Sequence, residues 1–162
     1  MIVVRPIADG DWDAVYEIFT AVVAEGETYA YPEDLTSEGA RSLWVEGPPV
    51  ETVVARRDDV ILGTARFGPN RPARGAHVAT ASFMVAREAR GSGVGRAMCE
   101  YVIARAREQG YAGMQFNAVV STNVHAIDLY KRLGFVTIGT IPGAFDSATQ
   151  GRVGLDVMYL AF

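Results

Sequence analysis

The segment of this 162-residue chain best suited to chemistry is Arg90-Gly91-Ser92-Gly93-Val94-Gly95-Arg96. It stands between an apolar, strand-like run, Ala81-Ser82-Phe83-Met84-Val85, and a helix-like run from Ala97 to Gln109. A glycine-rich turn that opens a helix leaves the first backbone N–H groups unpaired at the positive end of the helix dipole, where a pyrophosphate fits. Glycines bring the main chain close to such a ligand without Cβ interference, and Arg90 and Arg96 add positive charge. Turns of this kind also join strands to helices for steric reasons alone, so the spacing has to discriminate. A dinucleotide fingerprint needs Gly or Ala three residues after Gly93, where Arg96 stands, and an acid between Gln109 and Val120, where there is none. A Walker loop needs Gly-Lys-Ser/Thr, and Lys131 is the only lysine.

A second segment, Asn123-Val124-His125-Ala126-Ile127-Asp128-Leu129-Tyr130-Lys131-Arg132-Leu133-Gly134-Phe135, follows downstream. The glycine turn, read as Arg/Gln-x-x-Gly-x-Gly, and this segment, read as Asn-x-x-Ala-x-x-Leu-Tyr-x-x-x-Gly-Phe, resemble the Gcn5-related N-acetyltransferase superfamily in order and separation. The resemblance extends over nearly the whole chain. It implies acetyl transfer from acetyl-CoA, as co-substrate, to an amine. The cradle Gly91 to Arg96 would hold the pyrophosphate, with Arg90 beside it. The backbones of Phe83, Met84 and Val85 would pair with the pantetheine arm and offer one N–H to the acetyl oxygen. Asn123, at a helix start, reads as an N-cap, as a cofactor contact, or as both. Tyr130 shares a helix face with Ala126, Leu129 and Leu133, which is the pattern of a core aromatic; the resemblance makes it the general acid. A phenol with a pKa of about 10 can protonate a departing thiolate.

The base is less defined. Many members of the superfamily carry a glutamate on the central strand, and His77-Val78-Ala79-Thr80-Ala81-Ser82-Phe83 has no acid. Deprotonation is then expected through a water held by Thr80, Ser82 or Asn117, with Glu25 and Glu27 as alternatives. His77 and His125 are base candidates by residue type but have no visible partner. The segments His77 to Val85, Met114 to Asn123 and Gly139 to Phe145 also resemble fungal acetyltransferases that act on proline analogues such as azetidine-2-carboxylate. That resemblance places Asn117 and Asn123 in the active site, with Thr80 where those enzymes carry an asparagine.

These residues need a scaffold. Strand-like runs occur at Ile2 to Pro6, Glu51 to Arg57, Val60 to Phe67, His77 to Ala86, Gly113 to Ala118, Phe135 to Ile141 and Gly154 to Leu160. Helical periodicity spans Asp11 to Ala24, Ser37 to Val45, Val94 to Gln109 and Asn123 to Leu133, with Gly110 and Gly134 as stop signals. Asp58-Asp59 predicts a hairpin turn, and Gly68 to Gly75 and Pro142 to Gly151 predict loops that could wall a substrate site. The order β-α-α-β-β-β-α-β-α-β-β predicts an α/β (α+β) fold, a mixed seven-stranded twisted sheet with helices on both faces.

Composition limits the function classes. With 49% hydrophobic and 21% charged residues the chain reads as one globular domain over residues 1–162. A net charge of −4 and scattered arginines give no footprint for nucleic acid. Without an apolar signal core or a spanning run, the expectation is a cytoplasmic protein with no membrane partner. The single Cys99 reads as a core residue, and two histidines without a cysteine cluster offer no metal site. The expected partner is a small-molecule amine or amino acid, and relatives predict a homodimer. The alternatives are a coenzyme A-binding module without turnover and a protein N-acetyltransferase.

Overall fold

The computed structural model describes all 162 residues. The chain runs β1 (Ile2–Pro6), α1 (Trp12–Glu25), α2 (Ser37–Trp44), β2 (Glu51–Arg57), β3 (Val60–Pro69), β4 (Val78–Val85), α3 (Val94–Glu108), β5 (Gly113–Val120), α4 (Val124–Arg132), β6 (Val136–Ser147) and β7 (Gly151–Ala161). All seven strands form one mixed sheet in the order β1-β2-β3-β4-β5-β7-β6. The four helices end within one residue of the limits expected from periodicity and glycine placement. Alternation along β3 sorts the layers. The Thr64 hydroxyl receives a hydrogen bond from Trp44 Nε1 of α2, whereas a Cβ on Gly63 would press on Val94 and Met98 of α3. Helices α1 and α2 therefore cover one face and α3 the other. No helix is long and apolar enough to cross a membrane.

Local chemistry explains most of the boundaries. Thr36 caps α2 by accepting from the Gly39 N–H at 3.1 Å, and Gly26 ends α1 in the left-handed region at φ 66°. Asp58, at φ 54°, turns the chain between β2 and β3, where Arg57 pairs with Val60. The expected loop from Pro142 to Gly151 is a correction. Strand β6 continues to Ser147 and β7 begins at Gly151. Pro142-Gly143-Ala144 bulges opposite Gly154 alone, because Ile141 pairs with Leu155 and Phe145 with Val153. Proline and glycine mark this bulge, and pairing resumes beyond it.

Two irregularities position the site. The parallel pairing of β4 with β5 holds only at Val78 with Gly113 and Ala79 with Met114, then stops. A wedge opens between the two strands. In β5 one extra residue is inserted between Phe116, which pairs with Met158, and Val119, which pairs with Asp156. That bulge falls on Asn117 and Ala118.

Candidate functional site

The glycine turn forms a ring of free donors. Ser92 N–H bonds to the Ala89 carbonyl, and the first helical bond of α3 runs from Ala97 N–H to Gly93. The N–H groups of Gly91, Gly93, Val94, Gly95 and Arg96 have no acceptor in the chain. Gly91 at φ 74° and Gly93 at φ 89° hold conformations that L side chains resist, and a Cβ on Gly91 would meet nothing within 4 Å. The cradle is thus open, and its cations are engaged. Arg90 Nη2 lies 2.9 Å from both carboxylate oxygens of Glu25, and Arg96 Nε lies 2.8 Å from Glu100. The backbone supplies most of the anion-binding potential there, with both guanidinium charges shared with carboxylates. The chemistry of these donors fits a pyrophosphate.

The wedge between β4 and β5 leads from this cradle. Ala86 N–H bonds to Leu62 of β3, so alternation turns the backbone groups of Met84 toward β3 and those of Phe83 and Val85 toward the wedge. The side chain of Met84 is buried in the core. Of the three residues expected to pair with a pantetheine arm, Phe83 and Val85 turn main-chain groups to the wedge and Met84 turns its own to β3. Phe83 is met by a residue that the sequence reading passed over. The Tyr29 hydroxyl accepts from Phe83 N–H at 2.8 Å and donates to the Phe83 carbonyl at 2.7 Å. Burial pushes its pKa far above the ordinary phenol value. Tyr29 follows the glycine that ends α1, in an alternating Tyr29-Ala30-Tyr31 run, and that pattern is the only signal that could have revealed it.

Tyr130 reaches the edge of the wedge from α4. Its ring packs 4.6 Å from Phe116 and 6.3 Å from Phe83, centroid to centroid. Its hydroxyl makes no hydrogen bond within the chain, and burial raises its pKa well above 10. The phenol is therefore protonated throughout the neutral range. Asn123 precedes α4 with no side-chain capping bond, which leaves its amide free. Cys99 lies buried on α3 with its thiol pushed up to about 12 by desolvation, and is a poor nucleophile.

On the α1/α2 side a cavity of about 230 Å³ is lined by Arg66, Gly68, Thr80, Ser82 and Asn117, among others. The β5 bulge aims Asn117 into a polar chain: Asn117 Nδ2 donates to Asn70 Oδ1 at 2.6 Å, and Gln115 Nε2 donates to Asn117 Oδ1 at 2.8 Å. Thr80, Ser82 and Asn117, the residues expected to hold a water, thus share one cavity. The carboxylate alternatives are engaged elsewhere. Glu25 is tied to Arg90. Glu27 accepts from Ser147 at 2.6 Å and from Thr149 at 2.8 Å, and these bonds hold its pKa below the usual carboxylate value. His77 is exposed, and His125 lines a separate hollow with Arg96 and Arg132. Nowhere do His, Cys, Asp or Glu side chains gather in a group of three or more that could hold a metal ion.

Comparison with known proteins bears on the family and the fold. The model of the acetyltransferase (GNAT) family matches residues 12–135. N-acetyltransferase aca1 of Schizosaccharomyces pombe is 33% identical over 134 residues, 74% of this chain and 64% of that protein. The chain thus spans just under two thirds of the length of aca1. Phosphinothricin N-acetyltransferase of Alcaligenes faecalis is 32% identical over 142 residues, 85% of this chain and 72% of that one. Among solved structures, a GCN5-related N-acetyltransferase from Kribbella flavida superposes with a TM-score of 0.96 at 51% identity, covering 99% of this chain and 98% of its own.

Proposed function

The chain belongs to the acetyltransferase (GNAT) family, and from that premise we propose that it transfers the acetyl group of acetyl-CoA to the amine of a small molecule. The observation that carries the reading is the wedge: strand pairing ends at Ala79 and Met114, and the Tyr130 hydroxyl stands unpartnered beside it. One end of the wedge meets the free N–H groups of the cradle, and the other side meets the polar cavity of Thr80, Ser82 and Asn117.

The roles follow from position. The N–H groups of Gly91, Gly93, Val94, Gly95 and Arg96 bind the pyrophosphate. The main-chain groups of Phe83 and Val85 orient the pantetheine amides, as a neighbouring strand would. Asn123 adds a free amide at the start of α4. Bound acetyl-CoA supplies the activated acyl group. Tyr130, kept protonated by burial, donates its proton to the departing thiolate of coenzyme A. Asn117 positions the acceptor amine with Thr80 and Ser82, and the amine proton leaves through water held in that cavity, since Glu25 and Glu27 are committed to other partners.

The acceptor named in one relative, phosphinothricin, is amino-acid-like, and the likeness to aca1 is consistent with the proline-analogue reading. The test is a coenzyme A-release assay with a panel of L-azetidine-2-carboxylate, phosphinothricin, ordinary amino acids and polyamines. Release with any small amine supports acetyl transfer. Tight acetyl-CoA binding without release across the panel refutes a small-molecule acceptor, and release with a protein N-terminus instead reassigns the acceptor class.

A further inference from the structure

We infer that Arg66 anchors a carboxylate of the acceptor, so that the substrate is an α-amino or α-imino acid rather than a simple amine or polyamine. This rests on the acetyl-transfer reading and concerns the acceptor cavity alone. Arg66 is the only charged residue lining that cavity, among Thr80, Ser82, Asn117 and apolar neighbours. It is placed there by register: Arg66 of β3 pairs with Ser82 of β4, and Gly68 with Thr80. Guanidinium and hydroxyls consequently stand on one face. A Cβ on Gly68 would crowd Val50 at about 3 Å, so the glycine lets Val50 close one side of the cavity beside Arg66.

The guanidinium is held and still has donors to give. One Nη bonds to the Leu43 carbonyl at the end of α2, and Nη2 lies 2.7 Å from Glu46. Its side chain keeps 21% of its exposure, and Glu46 keeps 45%. A guanidinium carries five N–H donors, so the bonds to Leu43 and Glu46 and the neighbouring Tyr31 hydroxyl leave two to give. A guanidinium held at this many points with two donors to spare is a preorganised fork for a carboxylate. The Tyr31 hydroxyl faces the same guanidinium, whose charge works against the burial that raises the Tyr31 pKa. A cationic acceptor such as a polyamine would meet like charge here and no carboxylate in the lining. An amino acid brings the amine toward Asn117 and the carboxylate toward Arg66.

The competing explanation is that Arg66 only clamps the end of α2 through Glu46. Three variants separate these readings. Coenzyme A release is measured with matched pairs, L-azetidine-2-carboxylate against its carboxamide and L-phosphinothricin against its carboxamide, for wild type, Arg66→Gln, Arg66→Lys and Glu46→Gln. Binding of each acid in the presence of coenzyme A is followed by calorimetry. The expected result is a wild-type preference for at least one acid over its amide. In Arg66→Gln that preference falls about 10- to 100-fold, as loss of a charge-assisted hydrogen bond implies. The KM for acetyl-CoA is unchanged, and Arg66→Lys retains part of the preference. Glu46→Gln keeps or increases the preference, because it frees another donor. A clamp predicts that Glu46→Gln and Arg66→Gln behave alike, and that result overturns the inference. So does equal use of acid and amide by wild type, or a preference that survives in Arg66→Gln. Calorimetric binding of an acid that Arg66→Gln abolishes, without coenzyme A release from wild type, upholds the carboxylate anchor and defeats acetyl transfer. Absence of acid binding in wild type overturns the anchor even where a neutral amine is acetylated.

Discussion

Replacing Tyr29 by Phe should weaken the fold and tighten cofactor binding together. The hydroxyl accepts from Phe83 N–H at 2.8 Å and donates to the Phe83 carbonyl at 2.7 Å. A pantetheine amide lying along β4 would use the same two groups, so binding requires the hydroxyl to give them up. Removing it leaves the aromatic ring, 5.9 Å from Tyr31 and 6.4 Å from Trp44, in place. At a net worth of about 0.5–1.5 kcal/mol per hydrogen bond, the loss is roughly 1–3 kcal/mol. For a chain of 162 residues that lowers Tm by about 2–12 °C. The same roughly 1–3 kcal/mol no longer opposes acetyl-CoA, so its Kd should fall by about 5- to 150-fold. Differential scanning calorimetry and isothermal titration on the same preparations read both quantities. A lower Tm with weaker or unchanged acetyl-CoA binding would refute the reasoning, because it would mean that Tyr29 keeps its place or contacts the cofactor directly.

Other outcomes follow from the same geometry. Tyr130→Phe should lower kcat by at least tenfold with acetyl-CoA affinity near wild type, read by steady-state rates and calorimetry; a large affinity loss with unchanged kcat contradicts the acid role. Because burial holds the Tyr130 pKa well above 10, no alkaline limb from this group should cut kcat below pH 10, and a pH–rate profile checks it. Gly93→Val puts a branched side chain at φ 89° in the cradle, and should abolish acetyl-CoA binding in calorimetry while circular dichroism still reports the helices. Asp11 accepts from Arg5 at 2.6 Å and 2.9 Å and from Ala8 N–H at 2.7 Å, and the Arg5 hydrogen bonds hold its pKa below the usual carboxylate value. A depressed folded pKa means that its stabilisation is full above the unfolded value near 4 and fades as pH falls through the folded one. Asp11→Asn should therefore cost about 1–3 kcal/mol at pH 7, and the gap to wild type should narrow in urea titrations toward pH 3.

The elements whose information is local were legible in the chain itself. Period-3.6 apolar spacing located α1 to α4, with Gly110 and Gly134 marking the ends of α3 and α4, since a helix closes its own hydrogen bonds. Strand limits were poorer wherever a bulge intervened. Pro142-Gly143 reads as a break because it removes a donor and permits a left-handed turn, yet β6 resumes at Phe145 since β7 offers a partner across Gly154. A pairing partner distant in sequence decides that, and no window of residues around position 142 contains it. Pairing between β4 and β5 stops after Ala79 for a like reason: the β5 bulge at Asn117 and the ring of Tyr130 become neighbours of β4 only once the sheet is assembled.

The candidate site divides along the same line. Its cradle is made of consecutive backbone groups, so the glycine turn before α3, read together with the Asn123 to Phe135 segment, marks it as a candidate in the chain itself. The acceptor cavity is made of side chains that β3, β4 and β5 bring together by register, so Arg66, Thr80 and Asn117 meet only through pairs such as Arg66 with Ser82. Read along the chain, Arg66 is a polar residue alternating between the apolar Ala65 and Phe67, the pattern of a solvent-facing position. The sheet covers that face with α1 and α2, which turns the outward residue into a half-buried cation facing Ser82. A charge that costs desolvation there is accounted for either by the end of α2 or by an anionic acceptor. Glu46 is 45% exposed and needs no buried partner of its own. If the preference for acid over amide disappears in Arg66→Gln and survives in Glu46→Gln, the cation is kept for the acceptor; if both variants lose it equally, the end of α2 accounts for it.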